Sequence, residues 1–311
     1  MNYLKYKKDI KKKEIKWCLG CGNYSILIQL AKILEKLKIN KNEIVLVSGI
    51  GCSSRLPYYI NTYGIHGIHG RPFSIATGIK ISNPNLNVWV ITGDGDSFSI
   101  GTNNFLHTIR RDIDLNILIF NNEVYSLTKG QKSITNKKNK YRPFNTISLI
   151  LSSGSTFVAR TLDNYPNHLQ KILIYANKHI GTSCIEIYQN CPIYNKNFFK
   201  KFNKKNIIFL ENNKPLIFGN KRGIKLDGQI PKIVNLNNKY NSINDLWIHN
   251  YKNIYKSYIL SNFKNINNKL PTPFGIFYKK QIHKIKKKKI IKKKKKINLY
   301  KILKKNYYEI I

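Results

Sequence analysis

The stretch Val88-Trp89-Val90-Ile91-Thr92-Gly93-Asp94-Gly95-Asp96 decides the fold. Its apolar part is short and ends at a glycine, which is typical of a buried strand in a parallel sheet. The glycines that follow let the backbone approach a phosphate closely. The N-terminus of the next predicted helix favours an anion at the same place. The stretch therefore predicts a strand that ends in an anion-binding turn.

Similar apolar runs recur on both sides of this stretch and alternate with helical patterns. The predicted strands cover residues 44–48, 87–92, 115–120, 156–160 and 184–188. The predicted helices follow Gly22 and cover 71–82, 98–111 and 167–178. This alternation predicts an α/β fold with a doubly wound, mostly parallel sheet. Ligands of such sheets bind at the carboxyl ends of the strands, where Gly51, Gly93 and Asn121 fall.

Length and hydropathy predict a soluble cytoplasmic protein. A chain of 311 residues with 42% hydrophobic residues can bury a sizeable core. No apolar run reaches the ~18–20 residues of a membrane helix. Residues 1–16 are basic but lead into no apolar signal core. These patterns predict no membrane partner.

The charge balance is strongly basic, with 55 Lys and Arg against 15 Asp and Glu, a formal net charge of +40. The excess is mostly lysine, whereas nucleic-acid binders also use arginine for bidentate contacts. Lysine here accompanies many isoleucines, asparagines and tyrosines, all of which have A/T-rich codons. We therefore favour solvated surface lysines over nucleic-acid binding, which stays the alternative and predicts an affinity that falls steeply with salt.

The cysteines and a pair of polar residues predict metal chemistry. There are five cysteines, at positions 18, 21, 52, 184 and 191, and an odd number without a secretion signal disfavours a disulfide framework. Asp94 follows one predicted strand and Asn122 follows the next. A carboxylate and an amide oxygen suit Mg²⁺, which keeps substrate phosphates in its coordination shell. The two residues together predict a diphosphate–Mg²⁺ site.

Several motifs occur in an order that characterises one enzyme family. Besides the Gly93-Asp94-Gly95 and Asn121-Asn122 pair, they are Trp17-Cys18-Leu19-Gly20-Cys21-Gly22, Ile50-Gly51-Cys52-Ser53, His66-Gly67-Ile68-His69-Gly70-Arg71 and Tyr125-Ser126-Leu127-Thr128-Lys129-Gly130-Gln131. The chain resembles the β subunit of 2-oxoacid:ferredoxin oxidoreductases, which bind thiamine diphosphate. The resemblance runs from Trp17 to Asn195 and, weakly, over 271–277.

The resemblance implies a thiamine diphosphate-binding fold and a defined cofactor site. It implies that Asp94 and Asn122 hold Mg²⁺ by their side chains and Val124 by its carbonyl. It further implies a cofactor lining of Ile50, Gly51, Cys52, Ser53, Gly93, Gly95, Asp96, Ser126 and Leu127.

The resemblance also implies two residues on the substrate side of the cofactor, and a pair of histidines is a separate candidate. Lys129 and Arg55 would hold the carboxylates of a dicarboxylic substrate. For His66 and His69 two interpretations stay open. They bind the diphosphate or the bound reaction intermediate, or they belong to a polar loop that packs against the sheet.

The resemblance also implies a [4Fe-4S] cluster on the thiolates of Cys18, Cys21, Cys52 and Cys191. Cys184 lies inside an apolar strand pattern, which favours a buried core thiol. A structural zinc ion on four cysteines is the rival. It fits two separate single cysteines poorly and supplies no electron acceptor.

Function follows from the same resemblance: oxidative decarboxylation of 2-oxoglutarate to the acyl-CoA, with electrons passed through the cluster to ferredoxin. Pyruvate or a broad range of 2-oxoacids is the alternative substrate, and a nucleic-acid-binding protein on a reused thiamine fold is the alternative of another class. The chain lacks a glutamate for the aminopyrimidine ring, since Glu123 lies at the diphosphate end. The family takes that glutamate from its α subunit, so the implied partners are an α subunit, ferredoxin, coenzyme A and the 2-oxoacid.

Composition divides the chain into four predicted parts. They are a basic lead-in over 1–16, the cofactor and cluster domain over 17–200, a C-terminal extension over 201–278 and a Lys-rich tail over 279–311. Three residues depart from the family pattern, namely Leu19 and Ile134 in place of prolines and Ser126 in place of a glycine. None of the three removes a ligand.

Overall fold

A computed structural model describes residues 15–238 and 242–280. One eight-stranded sheet dominates it, in the order β2-β1-β3-β4-β8-β7-β13-β9. The strands are β1 (Ile44–Ser48), β2 (Tyr63–His66), β3 (Asn87–Gly93), β4 (Leu115–Asn121), β5 (Val124–Tyr125), β6 (Gln131–Lys132), β7 (Phe157–Leu162), β8 (Thr182–Tyr188), β9 (Ile207–Leu210), β10 (Ile217–Phe218), β11 (Arg222–Asp227), β12 (Ile230–Asn235) and β13 (Thr272–Lys279).

Helices cover both faces of the sheet. They are α1 (Asn23–Lys36), α2 (Pro72–Ser82), α3 (Thr102–Arg111), α4 (Thr146–Ser152), α5 (Pro166–Asn177), α6 (Ile254–Ser261) and α7 (Phe263–Ile266). Helix α2 begins at a proline, whose fixed φ suits the first helical position. Within the described ranges, no helix is long and apolar enough to cross a membrane.

Side-chain alternation along the central strands builds two cores. In β3, Val88 and Val90 pack on the face that carries α2 and α3, whereas Trp89 and Ile91 pack on the face that carries α1 and α5. The two sets face opposite ways because successive strand residues point to opposite sides of the sheet. A strand that is buried on both faces turns neither set of side chains to water, which explains the continuous apolar sequence of β3.

The predicted doubly wound, mostly parallel architecture is confirmed. All neighbours from β2 to β7 pair in parallel, and each predicted strand is present within two residues of its predicted ends. The helix predicted over 98–111 differs: a π-helical turn spans Asp96–Ile100, and the regular helix starts only at Thr102. The extra residue of that turn lets Asp96 face back toward the strand it follows.

Residues after 200 complete the same sheet. Strand β13 enters antiparallel to β7 and carries β9 at its outer edge, while β10, β11 and β12 form a small antiparallel sheet. The four-part division of the chain stays a prediction. Residues 1–14 of the predicted lead-in (1–16) and residues 281–311 of the predicted tail (279–311) lie outside the described residues, and Lys279 is the last residue of β13.

Candidate cofactor site

The segment 121–124 divides the carboxyl edge of the sheet into two sides. Asn122 donates from Nδ2 to Gln189 Oε1 at 2.8 Å, and its Oδ1 accepts from the backbone N–H of Val124 at 3.1 Å. Asn121 turns the other way and donates to Glu186 Oε1 at 2.7 Å. This is strand-like alternation, continued past the end of β4. Neighbouring asparagines therefore serve different sites.

Asp94 is a deeply buried carboxylate directly after β3, with 3% exposure. It accepts hydrogen bonds from Ser133 Oγ at 2.5 Å and Thr135 Oγ1 at 2.7 Å. Burial raises the pKa of Asp94 to about 6, although these hydroxyls and the Gly95 N–H oppose the shift. No lysine or arginine of the described chain forms an ion pair with it. A bound divalent cation would supply the missing positive charge.

Both oxygens of the Asp96 carboxylate are hydrogen-bonded to the surrounding loops and strand, so they are not available as metal ligands. Its Oδ1 accepts from the backbone N–H groups of Ile50 at 3.2 Å and Gly70 at 2.7 Å, and lies within hydrogen-bond distance of His69 Nδ1. Its Oδ2 accepts from Thr92 Oγ1 at 2.7 Å. The buried Asp96 side chain is thus hydrogen-bonded to β3 and to the two motif loops that contain Ile50 and Gly70.

A cavity of about 120 Å³ opens between these loops. Its walls include thirteen of the predicted site residues: Ile50, Gly51, Cys52, Ser53, His69, Gly93, Asp94, Gly95, Asp96, Asn122, Val124, Ser126 and Leu127. They follow the ends of four parallel strands, β1 to β4, as the edge rule for doubly wound sheets predicts.

The sequence prediction missed four residues of this wall. They are Phe120, Tyr125, Thr128 and Gln189. Gln189 follows directly after β8, so the same edge rule could have found it. Tyr125 packs so closely on Gly95 that a Cβ there would lie 2.2 Å from its ring, which explains the need for glycine.

Both predicted substrate-side residues and one of the two histidines lie outside the walls of this cavity. His66 Nδ1 contacts Ser48 Oγ at 2.9 Å and the Ser54 carbonyl at 3.1 Å. Arg55 donates from Nε to Tyr59 Oη at 3.2 Å. Lys129 is exposed, in a turn beside the cavity, and adopts a left-handed φ of 71°. His66 is thus placed by loop packing, and Lys129 stands at the rim.

Four of the five cysteines share one neighbourhood beside the cavity. Burial raises the pKa of the Cys21 thiol to about 12, and the nearby thiols of Cys191, Cys52 and Cys18 raise it further. Burial likewise raises the pKa of Cys52, with contributions from Cys191 and Cys18. The Trp17 indole N–H donates to the Cys52 carbonyl at 2.7 Å and joins the first two cysteine loops.

Polar contacts link these thiols to the cavity. Gln189 donates from Nε2 to Cys21 Sγ at 3.2 Å, and Ser126 Oγ lies 3.4 Å from Cys191 Sγ. Within the described residues, no three His, Cys, Asp or Glu side chains gather closely enough to hold a single metal ion. Cys184 is fully buried in the core of β8, which confirms its interpretation as a core thiol.

A buried ion pair supports Asp94 from the other side of the segment 121–124. Arg160 Nε donates to Glu186 Oε2 at 2.6 Å, and Glu186 in turn accepts from Asn121. Thr135 Oγ1 lies 2.7 Å from Asp94 Oδ2 and 3.1 Å from Asn121 Oδ1, and it has one proton to donate to either. Thr135 therefore connects the two sides of the segment and helps to orient the Asp94 carboxylate.

Comparison with known proteins agrees with this geometry. Residues 49–187 match the family described as "Thiamine pyrophosphate enzyme, C-terminal TPP binding domain". The 2-oxoglutarate oxidoreductase subunit KorB of Mycobacterium tuberculosis is 44% identical over 220 residues, which cover 66% of this chain and 59% of that protein. The 2-oxoacid:ferredoxin oxidoreductase subunit beta of Saccharolobus solfataricus is 42% identical over 207 residues, which cover 63% of this chain and 68% of that protein.

A solved structure extends the match to most of the chain. The 2-oxoglutarate:ferredoxin oxidoreductase from Magnetococcus marinus, with 2-oxoglutarate, coenzyme A and succinyl-CoA bound, superposes with a TM-score of 0.74 at 26% identity. The match covers 91% of this chain and 86% of that one. The predicted resemblance is thus confirmed, and the chain belongs to the family of 2-oxoacid:ferredoxin oxidoreductase β subunits, with a thiamine diphosphate-binding domain at its centre.

Proposed function

We propose that this chain is the cofactor-binding β subunit of a complex that oxidatively decarboxylates 2-oxoglutarate. In that reaction the bond between the carboxylate and the oxo carbon breaks, CO₂ leaves and a thioester to coenzyme A forms. The electron pair released passes to ferredoxin. The observation that carries the proposal is the cavity that gathers Asp94, Asn122 and Val124 beside the cysteine neighbourhood.

The chemistry of the wall fits thiamine diphosphate held through Mg²⁺. Asp94 offers a buried carboxylate without a cationic partner in the described chain, and Asn122 adds an amide oxygen. Val124 would add its backbone carbonyl. Glycines 51, 93 and 95 leave room for the diphosphate. When bound, thiamine diphosphate stabilises the carbanion that decarboxylation generates.

The cysteine neighbourhood fits a [4Fe-4S] cluster. The thiols of Cys18, Cys52 and Cys191 lie close enough to raise the pKa of Cys21, yet no three metal-binding side chains of the described residues gather around a single point as a zinc ion requires. A cluster is larger than one ion and takes each thiolate on a different iron. Because Cys52 also lines the cofactor cavity, a cluster there could accept electrons one at a time.

The remaining chemistry requires a partner. The carboxylates in the cavity wall are Asp94 and Asp96, and both accept several protein hydrogen bonds, so neither is free to act as the acid–base group of the cofactor. We assign that role to a glutamate of the α subunit. Exposed apolar side chains on the motif loops, Leu19 at 92%, Ile68 at 74% and Leu127 at 56%, suit burial against such a subunit.

The test is ferredoxin reduction by the complex of this chain with its α subunit, prepared anaerobically. We expect coenzyme A-dependent reduction with 2-oxoglutarate and a lower kcat/KM with pyruvate. Lys129→Gln should raise KM for the dicarboxylate more than for pyruvate, while Lys178→Gln on the outer face of α5 should change neither. Equal turnover of both substrates would replace the assigned substrate with a broad range of 2-oxoacids. No reduction with any 2-oxoacid would refute the proposed reaction.

A further inference from the structure

A second cavity is larger than the one that gathers the sequence motifs. It measures about 830 Å³ and lies on the other side of the segment 121–124. Its walls come from stretches far apart in sequence, around 135–148, 201–206, 260–268 and 272–273. This volume lies within the ~300–1,000 Å³ that is usual for small-molecule sites.

The charge around this cavity is positive. Lys137, Arg142, Lys201 and Lys264 all line it. Lys201 pairs with Glu123 Oε1 at 2.7 Å. The other three cations have no ion-pair partner among the described side chains. The cavity therefore carries uncompensated positive charge, which favours an anionic ligand.

The lysines come from three separate stretches and face one another. Burial lowers the pKa values of Lys201 and Lys264, and the charge of Lys137 lowers both further. Such mutual repulsion requires that the ammonium groups share one space. An anion with several negative charges would relieve this repulsion by contacting more than one of them.

The charges of Arg160 and Glu186, which also line the cavity, neutralise each other. Arg160 is paired with Glu186 at 2.6 Å and lies over the ring of Tyr188, 5.0 Å from its centroid. The free cations therefore lie at the rim, and phosphates would bind there. An apolar part of a ligand would lie deeper.

Aromatic and amide side chains complete the wall. Phe144, which is 40% exposed, lines the cavity, and the partly buried Phe202 lines it with its ring already stacked on that of Tyr188. Asn206, Asn265 and Asn268 add amide groups at its mouth. Ring faces stack on a planar heterocycle, and asparagine amides pair with the polar edge of a base. Phosphate alone would use neither feature.

We propose that this cavity binds a nucleoside diphosphate group, with the phosphates at Lys137, Arg142 and Lys264 and the base against Phe144. The site is separate from the cofactor cavity, since the segment 121–124 stands between the two. It does not depend on the proposed reaction. The group could belong to a free nucleotide or to a larger molecule that contains one, such as coenzyme A.

The test measures binding of ADP to the full-length chain at ~0.15 M salt, where simple charge attraction is screened. Thiamine diphosphate and excess Mg²⁺ are added first to saturate the other cavity. We expect saturable binding at one site. The triple variant Lys137→Gln/Arg142→Gln/Lys264→Gln should bind ADP at least about tenfold more weakly, a loss of about 1.4 kcal/mol shared among three charge-assisted contacts.

The matched control removes the same charge elsewhere. Lys36, Arg110 and Lys178 are exposed on α1, α3 and α5 and line neither cavity. Their combined replacement by glutamine should leave ADP affinity unchanged within about twofold. An equal loss in both triple variants would mean attraction to a basic surface and would overturn the proposal, as would no saturable binding.

Two further probes test the base and identify the source of the group. Inorganic diphosphate should bind at least about tenfold more weakly than ADP, and Phe144→Ala should weaken ADP but not inorganic diphosphate. Equal affinities for ADP and inorganic diphosphate would overturn base recognition. Competition of coenzyme A with ADP would support the shared group in a bound cofactor, and binding of ADP without such competition would support a free nucleotide.

Discussion

Two cavities flank the segment 121–124, and their carboxylates differ. On the cofactor side, Asp94 is buried with only hydroxyl and backbone donors around it, and burial raises its pKa to about 6. On the other side, Glu186 and Glu123 each have a cation at 2.6 and 2.7 Å. Among the described side chains, Asp94 on the cofactor side has no lysine or arginine partner, whereas the other cavity is lined by cations that have no carboxylate partner.

This difference indicates what each side can bind. A buried carboxylate without a cation is costly, and a metal ion is the ligand that would reduce the cost. A rim of unpaired cations favours a phosphate instead. The two cavities therefore complement ligands of opposite charge, although they share one strand end.

The largest expected effect comes from removing one charge of the buried Arg160–Glu186 ion pair. Glu186→Gln leaves Arg160 buried without a counter-charge and should lower the free energy of unfolding by about 3–5 kcal/mol. Urea unfolding of the full-length chain measures it. The double variant Arg160→Met/Glu186→Leu removes both charges and should recover most of the loss. An unchanged free energy of unfolding in Glu186→Gln would contradict the importance of this ion pair.

The next effect concerns pH and a further buried carboxylate, Asp163, which lines neither cavity. Asp163 accepts from the backbone N–H of Asn190 at 2.7 Å, and its raised pKa means that the folded chain binds a proton more tightly than the unfolded chain does. Its contribution to stability is therefore fully present below pH 3.8 and is lost as pH rises through about 6. That loss is about 3 kcal/mol.

Comparison with Asp163→Asn isolates this carboxylate. Unfolding free energies are measured from pH 4 to pH 7 for both proteins. The wild-type chain should lose stability relative to the variant as pH rises. A difference that stays constant with pH would mean that Asp163 is not held in a desolvated site.

Removing the proposed metal ligand tests the cofactor side directly. Asp94→Asn should weaken Mg²⁺-dependent binding of thiamine diphosphate at least about 100-fold, because the charge that attracts the ion is gone. Asp227→Asn, on the exposed face of β11, is the matched control and should bind normally. Retention of affinity by Asp94→Asn would exclude Asp94 as a ligand.

The smallest effect comes from the hydroxyls that orient Asp94. Ser133→Ala removes the 2.5 Å hydrogen bond and should weaken Mg²⁺ affinity about tenfold. Ser152→Ala, at the exposed end of α4, should have no effect. Equal affinities in the two variants would show that Ser133 does not position the carboxylate.

The cofactor side could be predicted from the sequence because its residues are local and distinctive. Glycines, Asp94 and Asn122 lie directly after apolar runs, so the edge rule brings them together. The role of Asp96 could not be predicted, since a π-helical turn directs it at the loops over 49–53 and 66–71. Strand pattern and motif order do not encode such a turn.

The basic cavity could not be predicted for a different reason. Its cations come from separate stretches, and Lys137 and Lys264 look like any other lysine in so basic a chain. Arg160 and Glu186 sit inside strands and pair only because β7 and β8 are neighbours in register. Only tertiary structure brings these residues together.

The central claim is that the cofactor cavity delivers electrons to a cluster on Cys18, Cys21, Cys52 and Cys191. The most direct measurement is iron, acid-labile sulfide and visible absorption of the anaerobic complex, for Cys191→Ser and for Cys184→Ser as control. Cys184→Ser should keep about four irons per chain, with absorption that bleaches on adding 2-oxoglutarate and coenzyme A, and Cys191→Ser should lose both. Zinc in place of iron, or a cluster that ignores the substrates, would contradict the claim.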